Sequence, residues 1–171
     1  MNFQYYWKQK EANFGPPLET EVSEGTHFSI ECVLKLDDKY VALRRPQAIP
    51  QHEIPLKAIQ RGKDCLYFAH DLLRWGETMD AALKRIVLDQ TGVGVKTYKI
   101  VDLEMETYQE TNQWAITAYA IVELDQLPTT GDFGNKVTEV VSFDKDTIPA
   151  DLGWWTREEF VNFLRKHYSS S

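Results

Sequence analysis

The stretch from Thr78 to Val93 constrains the fold most, because it is bounded at both ends and periodic in between. Thr78 is a suitable N-cap, and Asp80 places a negative charge at the positive end of the helix dipole. Gly92 supplies the left-handed conformation that commonly ends a helix. Residues between these signals recur at helical spacing: Met79, Ala82, Leu83, Ile86, Val87 and Gln90. The sequence therefore predicts one amphipathic helix in the middle of the chain.

Strand patterns precede this helix. The run "HFSIECVLKL", which starts at His27, alternates so that one face carries apolar side chains: Phe28, Ile30, Cys32 and Leu34. "DDK" from Asp37 is typical of a hairpin turn, and "YVALRRP" from Tyr40 is the returning strand. Residues 46–64 contain three prolines and are predicted to be a long loop, with a helical turn at about 55–61. "CLYFA" from Cys65 is a short apolar strand that leads towards the helix.

Strands also follow the helix, and a second helix closes the chain. Residues 96–110 and 113–124 are predicted strands, 128–135 a loop, and 137–144 a further strand. "TREEFVNFLRKHY" is an amphipathic helix with Thr156 as its cap and Glu159 at the reciprocal position. This order predicts an α/β or α+β domain with a mixed sheet between helices. We assign the domain to residues 26–171.

Residues 1–25 are an N-terminal extension in this interpretation. Its aromatic residues Tyr5, Tyr6 and Trp7 are expected to dock on the domain or on a partner chain. The extension has no apolar signal core, and no run in the chain approaches the length of a membrane span. We therefore expect a cytoplasmic protein without membrane contact.

Composition limits the partners. The 171 residues suffice for one domain with a substantial core, and 43% hydrophobic residues are ordinary for a globular protein. The net charge of −7 and the lack of a basic cluster argue against binding to a nucleic-acid polymer. The two cysteines, Cys32 and Cys65, are better explained as buried thiols than as a disulfide or metal site.

The order of elements, together with a motif around the central helix, resembles the Nudix family. The box of that family is G-x5-E-x7-R-E-U-x-E-E-x-G-U, in which U is a bulky aliphatic residue. With Gly92 and Val93 at its end, the box glutamate falls on Glu77, preceded by Gly76, and the box arginine falls on Arg85. "GWWTREEF" from Gly153 is similar to the tryptophan-then-helix ending of the family. The resemblance spans about residues 26–165 and implies the Nudix fold, a mixed sheet sandwiched between helices.

Three positions of the box depart from the pattern. The glutamates that bind the metal in the family lie at i, i+3 and i+4 on one helix face, where their oxygens hold Mg²⁺ or Mn²⁺ against a pyrophosphate. Here these positions are Ile86, Asp89 and Gln90. Isoleucine cannot bind a cation, and a neutral amide is a poor ligand for a hard divalent ion. Upstream, His70 and Asp71 replace the two glycines of the family's turn.

The residues that remain have a structural character. The resemblance implies that Glu77 and Arg85 tie the preceding loop to the helix, and we predict a hydrogen bond between them. Gly76, Arg85 and Gly92 are therefore expected to be structural. Glu77 and Asp89 are the metal ligands that the chain retains if Mg²⁺ or Mn²⁺ binds.

Candidate ligand-binding residues lie around the box. Arg44 and Arg45 end the second predicted strand, which borders the cleft in the family, and arginine suits phosphate recognition. Arg74 lies in the loop before the box. His70 and Asp71 form a possible base or ligand pair, although a solvated loop pair is more common. Other features have structural explanations: Trp114, Trp154 and Trp155 as core, and Glu104 and Glu106 as a solvated strand face.

Three hypotheses about function follow. The first is a binding protein for a nucleotide or another phosphate- or diphosphate-linked ligand, with hydrolysis weak or lost. The second is an active metal-dependent pyrophosphohydrolase that cleaves a nucleoside diphosphate linked to another group, with a rebuilt metal site that includes Glu77, Asp89 and an acid such as Asp71 or Glu104. The third is a non-catalytic homodimeric scaffold that uses the aromatic N-terminus. We favour the first because two carboxylates of the box are missing.

Overall fold

A computed structural model describes residues 26–45, 65–74, 76–108, 113–132 and 136–168. The predicted extension at 1–25 and the long loop at 46–64, with its helical turn, lie outside these ranges. Within them, no helix is both long enough and apolar enough to cross a membrane.

Before the central helix, the described part of the chain contains four strands. They are β1 (Thr26–Leu36), β2 (Lys39–Arg44), β3 (Leu66–Tyr67) and β4 (Ala69–Leu72). The predicted hairpin between β1 and β2 is confirmed, with Asp37 in the left-handed region at φ 53°. The single strand predicted from Cys65 is two short strands, because β3 pairs with β2 whereas β4 pairs with β1.

The central helix α1 spans Met79–Thr91. Both of its predicted ends are confirmed: the Thr78 hydroxyl accepts a hydrogen bond from the Ala81 N–H, and Gly92 adopts a left-handed conformation at φ 71°. The Gly92 N–H donates to the Leu88 carbonyl. Local capping chemistry therefore fixes the length of this helix.

The remaining elements are β5 (Val95–Tyr108), β6 (Gln113–Leu124), β7 (Gly131–Asp132), β8 (Lys136–Val137), β9 (Glu139–Phe143) and α2 (Arg157–Tyr168). The predicted loop at 128–135 contains β7, which pairs with β8, and the strand predicted at 137–144 is broken at Thr138. The Thr156 cap is confirmed, because its hydroxyl accepts from the Glu159 N–H and Glu159 accepts from the Thr156 N–H.

The sheet is mixed and forks at β1. Its order is β3-β2-β1-β6-β5, with β4 also on β1 and β9 also on β2. β1 runs parallel to β6, whereas its other edge pairs with β4 at Ser29–Cys32 and with β2 at Leu34–Leu36, both antiparallel. Strand β4 therefore pairs with the part of this β1 edge that β2 does not cover.

The two helices cover opposite faces of the sheet. Side chains alternate along β1, so Ile30 and Cys32 face α1, whereas Glu31 faces α2 together with its register partner Tyr119 on β6. Tyr119 packs against Phe163 of α2, with ring centroids 5.8 Å apart. The predicted sandwich is confirmed. The central strand β1 is covered on both faces, with residues 29–34 at most 5% exposed.

Candidate functional site

Hydrogen bonds between box residues hold the loop before α1 against the helix. The Arg85 Nε donates to Glu77 Oε1 at 2.7 Å and its Nη2 to Glu77 Oε2 at 3.0 Å. This bidentate contact confirms the predicted bond between the two residues. The same guanidinium donates to Asp71 Oδ2 at 2.6 Å and to the Leu72 carbonyl at 2.8 Å. One buried arginine thus holds β4 and the loop after it against the helix.

Electrostatics support this fastening role. Both Arg85 and Glu77 side chains are 14% exposed. The hydrogen bonds from Arg85 lower the pKa of Glu77, with a further contribution from the Arg74 N–H that donates to Glu77 Oε2. Burial alone would lower the pKa of Arg85, but its bonds to Glu77 and Asp71 outweigh burial and raise it. Both groups therefore stay charged and paired at neutral pH.

The backbone of the loop is set by glycine. Gly76 adopts a left-handed conformation at φ 76°. The adjacent Glu77 N–H donates to the Arg74 carbonyl at 3.0 Å. Together with the reverse bond from the Arg74 N–H, this closes a tight turn that places Glu77 beside Arg85.

The three positions that would carry metal-binding glutamates have other roles. Ile86 is fully buried in the core. Gln90 is 6% exposed, and its amide makes two bonds to the backbone of a single residue: Oε1 accepts from the His70 N–H at 3.0 Å, and Nε2 donates to the His70 carbonyl at 2.6 Å. Asp89 is exposed on the helix surface.

These contacts do not fit a divalent cation. Hard cations need several free oxygen ligands around one point. Both oxygens of Glu77 are engaged by Arg85, the Gln90 amide is used on both sides, and Ile86 has no oxygen to offer. No three His, Cys, Asp or Glu side chains within the described ranges converge on one point.

The adjacent residues His70 and Asp71 do not form a pair. They alternate on β4, so Asp71 faces α1 and bonds Arg85, whereas His70 faces α2. The His70 Nδ1 lies 3.7 Å from Glu31 Oε2, and its ring centroid lies 4.8 Å from that of Trp154. The two residues predicted as one site therefore belong to opposite faces of the sheet.

The predicted arginines also differ in their surroundings. Arg44 bonds Glu139 at 2.6 Å and Asp151 at 2.8 Å, which fastens β2 to β9 and to the segment before α2. Arg45 is 4% exposed and donates from Nη2 to the Phe68 carbonyl at 3.3 Å. The third predicted arginine, Arg74, is exposed in the loop beside the box.

Glu31 is a buried acid that the sequence analysis did not single out. It is 3% exposed in the middle of β1, between His70 on β4 and Tyr119 on β6. Burial raises the pKa of Glu31 from 4.5 to about 8, whereas the Arg45 charge and a hydrogen bond with the Trp155 side chain act in the opposite direction. Its only sequence signal was an acid inside a strand with an alternating apolar pattern.

The tryptophans lie above this acid. Trp155 is 9% exposed and packs against Tyr119 and Phe163, with centroid distances of 5.4 and 4.8 Å. Trp154 is partly buried against His70. The expectation that Trp155 fills core is confirmed. The side chains of Trp114 and Glu106 lie outside the described set, and Glu104 accepts a hydrogen bond from the Tyr119 hydroxyl at 3.0 Å.

Comparison with known proteins identifies the fold. A sheet between two helices, with the capped box helix on one face, defines the α/β/α sandwich described above. No model of a protein family matches the sequence, and no curated protein matches it. Solved structures do match, and their likeness shows that this chain has the Nudix fold.

Three of these structures illustrate the likeness. A NUDIX hydrolase from Nitrosomonas europaea is 17% identical, with a TM-score of 0.59, over 85% of this chain and 89% of that one. A MutT NUDIX hydrolase from Burkholderia pseudomallei is 12% identical, with a TM-score of 0.58, over 78% and 95%. A point mutant of the Bacillus subtilis pyrophosphohydrolase BsRppH is 14% identical, with a TM-score of 0.53, over 91% and 81%.

Proposed function

We propose that this protein binds a nucleotide or another phosphate- or diphosphate-linked ligand, with metal-dependent hydrolysis weak or lost. The observation that carries the proposal is the pair of hydrogen bonds between the Gln90 amide and the His70 backbone. In the family that the sequence resembles, this position supplies a metal-binding carboxylate. Here Gln90 instead connects the box helix to β4. Its side chain has no polar atom left for a cation.

The engagement of Glu77 supports the same conclusion. Its carboxylate is bound on both oxygens by Arg85, at a helix start where a metal site would need it free. Asp89 is exposed, and of the three metal-ligand positions of the box helix it alone has a carboxylate. A single monodentate carboxylate holds Mg²⁺ weakly, because Mg²⁺ gives up its water shell reluctantly.

Arg74 is the arginine that we propose for the phosphate end of the ligand. Arg44 already bonds two carboxylates, and Arg45 is buried near Glu31, whereas Arg74 is exposed next to the box. Its backbone is held in place by the two bonds to Glu77. A guanidinium on a fixed backbone suits phosphate recognition.

The test is calorimetry with α,β-methylene-ADP, a diphosphate that resists hydrolysis, with and without Mg²⁺ or Mn²⁺. We expect binding that is indifferent to metal and that weakens about tenfold in Arg74→Ala, as for one charge-assisted contact. Lys84→Ala, which removes an exposed cation on the helix, is the matched control and should leave the affinity unchanged.

Two results would contradict the proposal. Binding that requires the metal and is lost in Asp89→Ala would favour the active hydrolase with a rebuilt metal site. Absence of binding under every condition would favour the scaffold, and the search would then move to protein partners and to the oligomeric state after removal of residues 1–14.

A further inference from the structure

Strand β5 is a long edge strand with exposed apolar side chains. Within the described ranges it pairs with β6 alone, so its other edge has no strand beside it there. Of the five large apolar side chains that are exposed in these ranges, three lie close together on β5: Ile100 at 42%, Leu103 at 53% and Met105 at 69%. An exposed apolar edge of this kind is a place where another chain can pair.

The first half of β5 places Tyr98 and Ile100 on the α1 face of the sheet. The Tyr98 hydroxyl donates to Asp80 of α1 at 3.1 Å, and Ile100 lies two residues further along the same strand. Lys99 lies between them and therefore points to the α2 face, where it is exposed. This half thus has apolar or aromatic side chains on one face and a positive charge on the other.

The second half of β5 repeats the apolar face but carries the opposite charge. The strand has one extra residue relative to β6 between positions 100 and 102, and this bulge shifts the alternation of side chains. Leu103 and Met105 therefore continue the α1 face. Glu104 lies between them and points to the α2 face, where it is exposed and accepts a hydrogen bond at 3.0 Å from a tyrosine of β6.

The two halves are complementary when two copies of β5 run antiparallel. If Ile100 lies opposite Leu103 of the second copy, the same register places Lys99 opposite Glu104 and Tyr98 opposite Met105. Each of these pairs then occurs twice, because a two-fold axis makes the contact self-complementary. Opposite charges and large apolar side chains that face each other across strands are stabilising.

This register is distinguished from its neighbours by the faces of the strand. A slip by one residue would, for example, place Ile100 opposite Glu104 and Lys99 opposite Met105. Apolar side chains of one copy would then lie opposite charged side chains of the other. The bulge in each strand therefore helps to specify a single pairing.

We propose that β5 is the contact of a two-fold symmetric homodimer, in which two sheets join edge to edge with Lys99 of each copy opposite Glu104 of the other. The occupant is a second copy because the complementary charges and the shared apolar face lie on the two halves of one strand. The contact is separate from the aromatic N-terminus of the scaffold hypothesis. It is also independent of the proposed ligand site, because Arg74 does not belong to β5.

Sedimentation velocity of the full-length chain over a range of concentrations tests the proposal. Because a single strand pair is a small interface, we expect the dimer to form at about 10 to 100 μM. Lys99→Glu and Glu104→Lys should each raise the dissociation constant about tenfold, because two pairs of like charges then face each other. Lys96→Glu makes the same reversal on the same strand opposite Thr107, an uncharged residue, and is the matched control.

A mixture of the two variants tests the geometry itself. Lys99→Glu has an acid at both positions and Glu104→Lys has a base at both, so each variant repels its own copy but matches the other. We expect the equimolar mixture to form a heterodimer with about the wild-type affinity. Combining both substitutions in one chain should likewise restore the homodimer. Misfolded variants could not regain association on mixing, so this result is independent of stability.

The apolar face provides a second test. Leu103→Lys should raise the dissociation constant about tenfold as well, because it replaces an apolar contact with a charge. The side chain is half exposed, so the melting temperature of the monomer should stay unchanged.

Three results would overturn the proposal. The first is a chain that remains monomeric at about 1 mM, a concentration at which even weak specific contacts form. The second is a dimer that Lys99→Glu leaves intact; if this dimer is lost on removal of residues 1–14, the N-terminus is the contact instead. The third is an equimolar mixture of the two charge variants that stays monomeric.

Discussion

The two faces of the sheet differ in the surroundings of their buried polar groups. On the α1 face, Arg85 satisfies two carboxylates and the Gln90 amide is bonded on both sides. On the α2 face, the Glu31 carboxyl is buried between His70 and Tyr119, and burial raises its pKa to about 8. A charged network whose members are hydrogen-bonded to one another contributes stability, whereas a buried carboxyl with a raised pKa costs stability when it ionises.

This difference also changes where function should be sought. The box helix draws attention in the sequence because its residues fit a known spacing. Its polar groups, however, are engaged with one another. The less conspicuous strand β1 carries the acid that burial has perturbed most clearly in the described chain. A buried group with a perturbed pKa is a candidate for a functional role, whereas motif positions that are engaged with one another have a structural role.

The largest effect is expected from Arg85→Ala, which breaks the fully satisfied face. It removes four hydrogen bonds and leaves the Glu77 and Asp71 carboxylates without their shared cation. We expect the free energy of unfolding to fall by about 4 kcal/mol, as for other broken buried pairs. Urea unfolding measures this free energy, with Lys84→Ala as an exposed control. If Arg85→Ala lost no more stability than the control, the hydrogen bonds of Arg85 would not be structural.

The next effect is expected from Gln90→Glu, which restores the carboxylate of the family's box. An ionised glutamate cannot donate to the His70 carbonyl, so we expect a loss of about 3 kcal/mol at pH 7. The deficit should shrink at lower pH, because a buried carboxyl has a raised folded-state pKa and its protonated form can donate. Tighter Mg²⁺ binding without loss of stability would contradict the fastening role.

The pH dependence of stability should sharpen the comparison of the faces. The pKa of Glu31 is raised to about 8, so its contribution is complete below 4.5 and is lost as the pH rises to 8. Glu77, whose pKa is lowered, contributes above 4.5 and loses that contribution as the pH falls. Glu31→Gln should therefore gain about 3 kcal/mol relative to the wild type between pH 5 and pH 8. If the free energies of unfolding of the wild type and Glu31→Gln changed in parallel over that range, the raised pKa of Glu31 would be refuted.

The smallest effect concerns the segment that carries the two indoles. A Cβ at Gly153 would lie 2.2 Å from Cε1 of Tyr67, a ring that is almost fully buried, so Gly153→Ala should cost about 1.5 kcal/mol by overpacking. Gly76→Ala has free space but a positive φ, and should cost about 1 kcal/mol through backbone strain. Thermal unfolding compares them. Only Gly153→Ala should alter Trp154 fluorescence, and a shift in both would contradict a local effect.

Local signals predicted the elements well. The helix caps at Thr78, Gly92 and Thr156 depend on chemistry within a few residues, and the Glu77–Arg85 bond spans one loop and two helical turns. The sequence could not show which strands are central. The fork of the sheet is a long-range feature. It brings β4 beside β1, where alternation along β4 separates His70 from Asp71, and it makes β1 a central strand in which Glu31 is buried.

The Gln90 amide also has a consequence for solubility. Strand β4 pairs with β1 along one edge, and its other edge would otherwise present the N–H and carbonyl of His70. Unpaired strand edges act as templates on which other chains can add and aggregate. By bonding both groups, a helix side chain occupies the place of one residue of a neighbouring strand. The glutamine at position 90, where the box has a carboxylate, therefore also leaves fewer backbone groups at this edge of β4 with which another chain could pair.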